Sequence, residues 1–141
     1  MINRDVLSDY FAQNCGGRIA GVIGYGAEGA VCAECLRGAG INAVVGVRPG
    51  PSWERASTAG FEVYFISDAV AMSDIVLITH PPAIFEAIFP RFVRPFLRAG
   101  QELWFLDSNC LLLLHPDCPR RDEFALPEGV KIRIVGTDDF C

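Results

Sequence analysis

A glycine-rich turn is the feature of this sequence that most restricts its fold. The segment 22–29 is Val-Ile-Gly-Tyr-Gly-Ala-Glu-Gly, and it lies where an apolar run at 19–23 gives way to a helical pattern. In such a turn Gly24 permits the sharp bend, Gly26 lets backbone approach a phosphate, and Gly29 lets the helix pack closely on the sheet. The helix N-terminus then offers N–H groups to phosphates. The segment predicts a nucleotide-binding turn, and the alternative is a glycine turn with only a structural role.

Apolar runs and helical patterns alternate along the 141 residues. Near-continuous apolar strands are typical of a parallel sheet that is covered on both faces. We therefore predict an α/β protein, a Rossmann-type doubly wound parallel sheet of about six strands, as a single domain over 1–141. The strands are expected at 19–23, 43–47, 61–66, 75–79, 102–106 and 130–135.

The helical segments are indicated by caps, prolines and glycines. Asn3 is expected to cap a short helix over 3–14, and Ser67 a helix that ends at Met72. Further helices are predicted at 27–39 and 51–58, and a helical region from 81 to 100 is interrupted by two prolines. The apolar stripe of the first helix consists of Val6, Leu7, Tyr10 and Phe11.

Composition excludes several classes of function. The chain has 12 basic and 17 acidic residues, and the net charge of −5 argues against nucleic acid or an anionic membrane as partner. The sequence has no run of 18 apolar residues, so no membrane span is predicted. The charged N-terminus does not resemble a secretory signal. A cytoplasmic protein is expected. Its six cysteines are predicted to be reduced and buried, since Cys32 and Cys35 lie inside a helix without a second pair to complete a zinc site.

The end of the second strand bears on the choice of nucleotide. NAD-type sites place Asp or Glu there to hold the ribose 2′-hydroxyl. This chain has Gly46-Val47-Arg48 instead, and Arg48 with Ser52 could bind a 2′-phosphate. NADP is therefore favoured, and NAD remains possible. The alternative is that Arg48 is a solvated loop residue and Ser52 a helix cap.

These segments together resemble ketol-acid reductoisomerase, also called acetohydroxyacid isomeroreductase. The match comprises the turn at 24–29, Leu36-Arg37, the segments 45–50 and 52–54, and 59–63, and it continues at lower density to about residue 135. One residue is missing between Gly50 and Ser52. The resemblance implies the N-terminal NADPH-binding domain of that family. The cofactor-binding residues that it implies are Gly24, Tyr25, Gly26, Ala27, Glu28, Gly29, Arg48, Ser52 and Pro81.

The chain also departs from the family pattern. Asp107 stands where the family has an active-site histidine, and His80 replaces an apolar residue just after the fourth strand. We take His80 and Asp107 as catalytic candidates, and a structural loop histidine is the alternative for His80. The family's C-terminal metal-binding domain has no counterpart here, and no metal site is expected. Asp138 and Asp139 are expected to be solvated.

The sequence thus predicts a dinucleotide-binding, oxidoreductase-like protein, and two alternatives stay open. The first is a non-catalytic nucleotide-binding module that acts as a sensor or partner subunit. The second is a piece of a longer reductoisomerase-like enzyme. Apolar residues at 84–97, four of them phenylalanines, and at 111–114 predict a homodimer. The alternative is that these residues fill the domain's own core.

Overall fold

Six parallel strands form one sheet in the computed structural model, which describes residues 3–115 and 117–135. The strand order is β3-β2-β1-β4-β5-β6. The central pairs are in register at Val22 with Val45 on one side and with Leu77 on the other. The strands are β1 (Ile19–Ile23), β2 (Asn42–Gly46), β3 (Glu62–Tyr64), β4 (Ile75–Ile78), β5 (Glu102–Phe105) and β6 (Lys131–Ile134).

The strand order creates a switch point between β1 and β4. From β1 the chain moves outward through β2 and β3, then returns to pair β4 with the other edge of β1. Crevices outside the carboxyl ends of strands at such a point are where open α/β sheets bind ligands. The prediction of a doubly wound parallel sheet is confirmed.

Helices cover both faces of the sheet. They are α1 (Arg4–Asn14), α2 (Ala27–Gly38), α3 (Pro51–Thr58), α4 (Ile66–Met72), α5 (Pro82–Ile88), α6 (Leu111–Leu114) and α7 (Arg121–Phe124). One core layer packs the first three helices against the sheet around Phe11, Leu36 and Trp104. The other packs α4, α5 and the segments that follow them around Val70, Phe85 and their neighbours. No helix of the described residues is long and apolar enough to cross a membrane.

Several local predictions agree with the structure. Asn3 caps α1 by accepting a hydrogen bond from the Val6 N–H at 3.1 Å. Helix α3 begins at Pro51, whose ring suits the first helical turn. The two prolines after α5 shape the chain as expected: Phe89–Val93 is a π-helical turn and Arg94–Phe96 a 3₁₀ turn.

Other local predictions are wrong. Ser67 does not cap α4, because the helix already begins at Ile66. Phe65 occupies the cap position and makes no side-chain hydrogen bond there. The strand predicted at 61–66 is β3, which has only three residues, because it lies at the edge of the sheet and pairs with β2 alone. Val6 lies outside the buried stripe of α1, with 42% of its surface exposed.

The described cysteines are free thiols. Cys15, Cys32, Cys35 and Cys110 are buried, whereas Cys118 is half-buried. Burial raises the pKa of Cys32 to about 12, so this thiol stays protonated and behaves as a small apolar side chain. The predicted burial therefore does not extend to Cys118, and Cys141 lies outside the described residues.

Candidate dinucleotide-binding site

A cavity of about 610 Å³ lies at the carboxyl ends of β1, β2 and β4. The glycine turn forms one wall, the loop after β2 a second, and α5 a third. Ala27, Glu28, Gly29, Pro81 and Asp107 are not among the residues that line it. The predicted site residues that do line it are Gly24, Tyr25, Gly26, Arg48, Ser52 and His80.

The three glycines of the turn have different surroundings. Gly24 has φ +102°, and a Cβ there would lie 2.6 Å from the Thr79 hydroxyl oxygen. A Cβ on Gly29 would lie 2.4 Å from the Gly24 carbonyl oxygen. A Cβ on Gly26 would meet no atom within 4 Å. Gly24 and Gly29 are therefore required by the packing of the turn itself, whereas Gly26 leaves open space at the cavity wall where a ligand can approach.

Helix α2 begins at the cavity. Gly26 is its N-terminal cap and supplies no side-chain bond, so the N–H groups of the first turn are not capped by this residue. Gly26, Ala27 and Glu28 are exposed, which leaves the start of this 12-residue helix open to an anion. The Tyr25 side chain is buried instead, with its ring 6.0 Å from that of Phe61, so Tyr25 faces the cavity only in part.

Arg48 and Ser52 lie on the wall formed by the loop after β2 and the start of α3. Arg48 is exposed, and the carbon of its guanidinium lies 5.7 Å from the centroid of the Phe92 ring. Ser52 is in the first turn of α3, whose cap is Gly50, so the interpretation of Ser52 as a helix cap is wrong. Its hydroxyl oxygen accepts a hydrogen bond of 3.1 Å from Arg55.

Arg55 is a residue that the sequence reasoning missed. Its Nη2 atom also donates to the Tyr25 carbonyl at 3.1 Å, and it thereby connects the glycine turn to α3. The one sequence signal is its position three residues after Ser52, which places both side chains on the same face of a helix.

His80 follows β4 and packs against the glycine turn. A Cβ on Gly24 would lie 2.7 Å from its Nε2 atom, and its Nδ1 atom is buried without a partner among the described residues. Burial and the nearby Arg48 guanidinium lower the pKa of His80 below its usual value of 6.5. The imidazole is therefore neutral at pH 7.

Comparison with known proteins agrees with this geometry. The family model described as "Acetohydroxy acid isomeroreductase, NADPH-binding domain" matches residues 15–110. The chain belongs to this family. The matched range includes the glycine turn, the Arg48–Ser52 loop, His80 and Asp107.

Curated relatives and solved structures of the family match over most of this chain. It is 38% identical over 102 residues to the NADP(+) ketol-acid reductoisomerase of Akkermansia muciniphila, covering 72% of this chain and 31% of that protein. The enzyme of the same name from Pyrococcus abyssi is 38% identical over 105 residues, covering 74% and 29%. The chain thus spans about a third of the length of these curated relatives.

Two structural neighbours share the fold. The first is an NADH-preferring ketol-acid reductoisomerase from an uncultured archean, with TM-score 0.69 and 31% identity, covering 93% of this chain and 37% of that one. The second is an imine reductase from Pseudomonas sp., with TM-score 0.65 and 18% identity, covering 84% and 41%. The second likeness concerns the fold alone.

Asp107, which stands in place of an expected reductoisomerase histidine, has a local structural contact. Its carboxylate accepts a hydrogen bond of 2.9 Å from the Asn109 N–H and so caps the 3₁₀ turn Ser108–Cys110. Among residues 3–115 and 117–135, no group of three or more His, Cys, Asp or Glu side chains is arranged to hold a metal ion. Asp138 and Asp139 lie outside the described residues.

Proposed function

We propose that this chain binds NADP(H) in the cavity between the glycine turn, α3 and α5. The supporting observation is that one cavity has both the open Gly26 position at the start of α2 and the Arg48–Ser52 pair on its wall. In this proposal the pyrophosphate contacts the turn Gly24–Gly29, and Arg48 and Ser52 contact the 2′-phosphate. Pro81, which caps α5, is proposed to border the cofactor.

The proposed preference for NADP(H) over NAD(H) rests on the end of β2. The strand ends at Gly46 and leads to the exposed Arg48, with no Asp or Glu to bind a ribose 2′-hydroxyl. A guanidinium and a hydroxyl suit a phosphate. NAD(H) is the competing ligand, because the loop is one residue short and a 31% identical neighbour is described as NADH-preferring.

When bound, the nicotinamide would supply hydride transfer. The chain's own contribution is to bind and orient the dinucleotide, and neutral His80 is the proposed group to face it from the end of β4. A neutral imidazole offers one donor and one acceptor without placing a charge beside the ring. We propose no step that uses a metal ion, because the described residues contain no cluster that fits one.

The first test is titration calorimetry of NADPH and NADH with the wild type and Arg48→Ala. A charge-assisted hydrogen bond contributes about 1.5–3 kcal/mol, so the variant should bind NADPH about tenfold more weakly and NADH nearly unchanged. Arg91→Ala, which removes an exposed arginine outside this cavity, is the control. An equal loss for both cofactors would remove the 2′-phosphate assignment, and absence of binding by the wild type would remove the site.

A second candidate function is a non-catalytic nucleotide-binding module. It is favoured by the contact of Asp107, whose carboxylate is used in a local cap rather than in the cavity wall. Turnover distinguishes the two functions. Oxidation of NADPH with 2-keto or imine compounds would support an oxidoreductase, and tight binding without turnover would support the module. Either could also be one part of a longer reductoisomerase-like enzyme.

A further inference from the structure

One arginine on α3 connects the two sides of the proposed cofactor site. The Nη2 atom of Arg55 donates to the Tyr25 carbonyl in the glycine turn and to the Ser52 hydroxyl, each at 3.1 Å. These two acceptors belong to segments that lie 27 positions apart in the sequence and line the same cavity. A single nitrogen atom therefore holds the Tyr25 carbonyl and the Ser52 hydroxyl at a fixed distance from each other.

The hydrogen bond to Ser52 restricts what its hydroxyl can do. A serine hydroxyl has one proton and two lone pairs. Because a lone pair is engaged by Arg55, the proton is directed away from the guanidinium and remains free to donate. Ser52 is thereby prepared to bind an acceptor, such as a phosphate oxygen, rather than a donor.

The hydrogen bond to Tyr25 has a similar effect on the backbone. A peptide plane is rigid, and in the trans form its C=O and the next N–H point in opposite directions. Arg55 holds the Tyr25 carbonyl on its own side, so the Gly26 N–H is turned away from the guanidinium. The backbone donor and the hydroxyl donor are thus oriented by the same side chain.

The charge of Arg55 is also available to a ligand. Within residues 3–115 and 117–135, no carboxylate forms an ion pair with it, whereas Arg4 and Arg18 each pair with one carboxylate and Arg120 with two. A guanidinium that is bonded only to neutral oxygens keeps its full attraction for an anion nearby.

We propose that Arg55 is a positioning residue that prepares the Gly26 N–H and the Ser52 hydroxyl for the phosphates of NADP(H). The inference rests on the proposed function. It predicts that the contribution of Ser52 to NADPH binding depends on Arg55. It also predicts a smaller effect on NADH, which has the pyrophosphate but lacks the 2′-phosphate.

The test is a double-mutant cycle with Arg55→Met and Ser52→Ala, in which the dissociation constants of NADPH and NADH are measured by calorimetry. Arg55→Met should weaken NADPH about tenfold and NADH about threefold or less. Ser52→Ala should weaken NADPH about fivefold in the wild type but less than about twofold in Arg55→Met. Should Arg55→Met lose its helical circular dichroism, Arg55→Gln takes its place in the cycle.

The matched control is Arg37→Met. Arg37 also donates to a backbone carbonyl, that of Ala59 at 2.7 Å, and it stacks on Phe61. Neither Ala59 nor Phe61 lines the cavity, whereas both acceptors of Arg55 do. Arg37→Met should leave both affinities unchanged. Additive losses in the cycle, or equal losses for the two cofactors, would overturn the role of Arg55 while leaving the proposed function in place. A wild type that binds neither cofactor would overturn the proposed function itself.

Discussion

At the scale of single residues, the glycine turn separates the requirements of folding from those of binding. Gly29 has no room for a Cβ because the Gly24 carbonyl lies too close. A Cβ on Gly26 would meet no protein atom within 4 Å, and this residue lines the cavity. Two glycines of one motif should therefore respond differently to the same substitution.

We expect Gly29→Ala to lower the free energy of unfolding by about 1–3 kcal/mol, because the turn must shift to admit the methyl group. Gly26→Ala should change it by less than about 1 kcal/mol and yet weaken NADPH binding severalfold, because its methyl group enters the space left for the ligand. Urea denaturation and calorimetry on both variants measure the two effects. Equal stability of the two variants would contradict the packing argument.

Much of the glycine turn could be predicted from local sequence features, whereas contacts that depend on tertiary structure could not. The spacing of the glycines and the preceding apolar strand identified Gly24 and Gly26 as cavity residues. Arg55 could not be identified, because its bond to Tyr25 exists only once α3 lies beside the turn. Ser67 has the polarity of a cap residue, but Phe65 occupies the cap position of α4, and nothing in the sequence indicates this.

At the scale of secondary-structure elements, a polar cluster joins α1, β5 and β6. Glu102 on β5 accepts hydrogen bonds from Arg18 and from the Trp104 indole, the latter at 3.1 Å. Arg133 on β6 donates to the Asn14 side chain at 2.7 Å, and its guanidinium lies over the Trp104 ring. Burial raises the pKa of Glu102, but the hydrogen bonds from Arg18 and Trp104 outweigh it and hold that pKa below 4.5.

The Nε atom of Arg133 also lies 3.8 Å from the Glu102 carboxylate, so Arg18 and Arg133 share this anion. We expect Glu102→Gln to lower the free energy of unfolding by about 2 kcal/mol at pH 7, because both guanidinium groups then lose it. As the pH falls, the Glu102 carboxylate is protonated in the unfolded chain before it is protonated in the folded protein. The extra stability of the wild type over Glu102→Gln is therefore complete above about pH 4.5 and is lost as the pH falls through the folded pKa. Denaturation of both proteins between pH 7 and pH 3 measures this convergence.

Glu34→Ala provides the control for Glu102→Gln. Glu34 pairs with Arg4 at 3.0 Å, and both side chains are well exposed, so its loss should cost less than about 1 kcal/mol. A Glu102 variant whose deficit is the same at every pH would contradict the assignment of this carboxylate to the cluster.

Elements with strong local signals were the ones that the sequence specified well. Strand β1 and helix α3 have the predicted bounds because an apolar run ended by glycine, and a proline followed by a helical pattern, define both ends locally. The prolines of the segment after α5 predict only that its helix is interrupted. Its π-helical and 3₁₀ turns depend on how Pro90 and Pro95 fit against the core, which periodicity does not specify.

At the scale of the whole molecule, the apolar segment 84–97 is divided between core and surface. Five of its eight large apolar residues are buried in the domain's own core: Phe85, Ile88, Phe89, Val93 and Leu97. The other three are exposed: Ile84 (44%), Phe92 (36%) and Phe96 (41%). Leu112 of α6 is exposed as well (70%). The homodimer stays a prediction, now restricted to these exposed side chains.

We expect light scattering coupled to size exclusion to give about twice the chain mass of 15.4 kDa. The double variant Phe96→Ser with Leu112→Ser should shift the protein toward a single chain, because it removes apolar surface that a partner would cover. Val6→Ser on α1, which is 42% exposed, is the control and should leave the mass unchanged. A single-chain mass for the wild type at all micromolar concentrations would contradict this prediction.

The polar cluster around Glu102 also has a consequence for how the chain acquires its structure on the ribosome. Helix α1 precedes all six strands in the chain, yet the rings of Phe11 and Tyr10 pack 6.4 and 5.8 Å from that of Trp104 on β5. Arg133, which donates a hydrogen bond to the Tyr10 hydroxyl, is 123 positions away. The contacts of α1 with α2 can form earlier, because α2 is the next helix in the chain. Contacts between distant parts of a chain delay folding. The part of α1 that packs on Trp104 therefore stays uncovered until β5 has been translated.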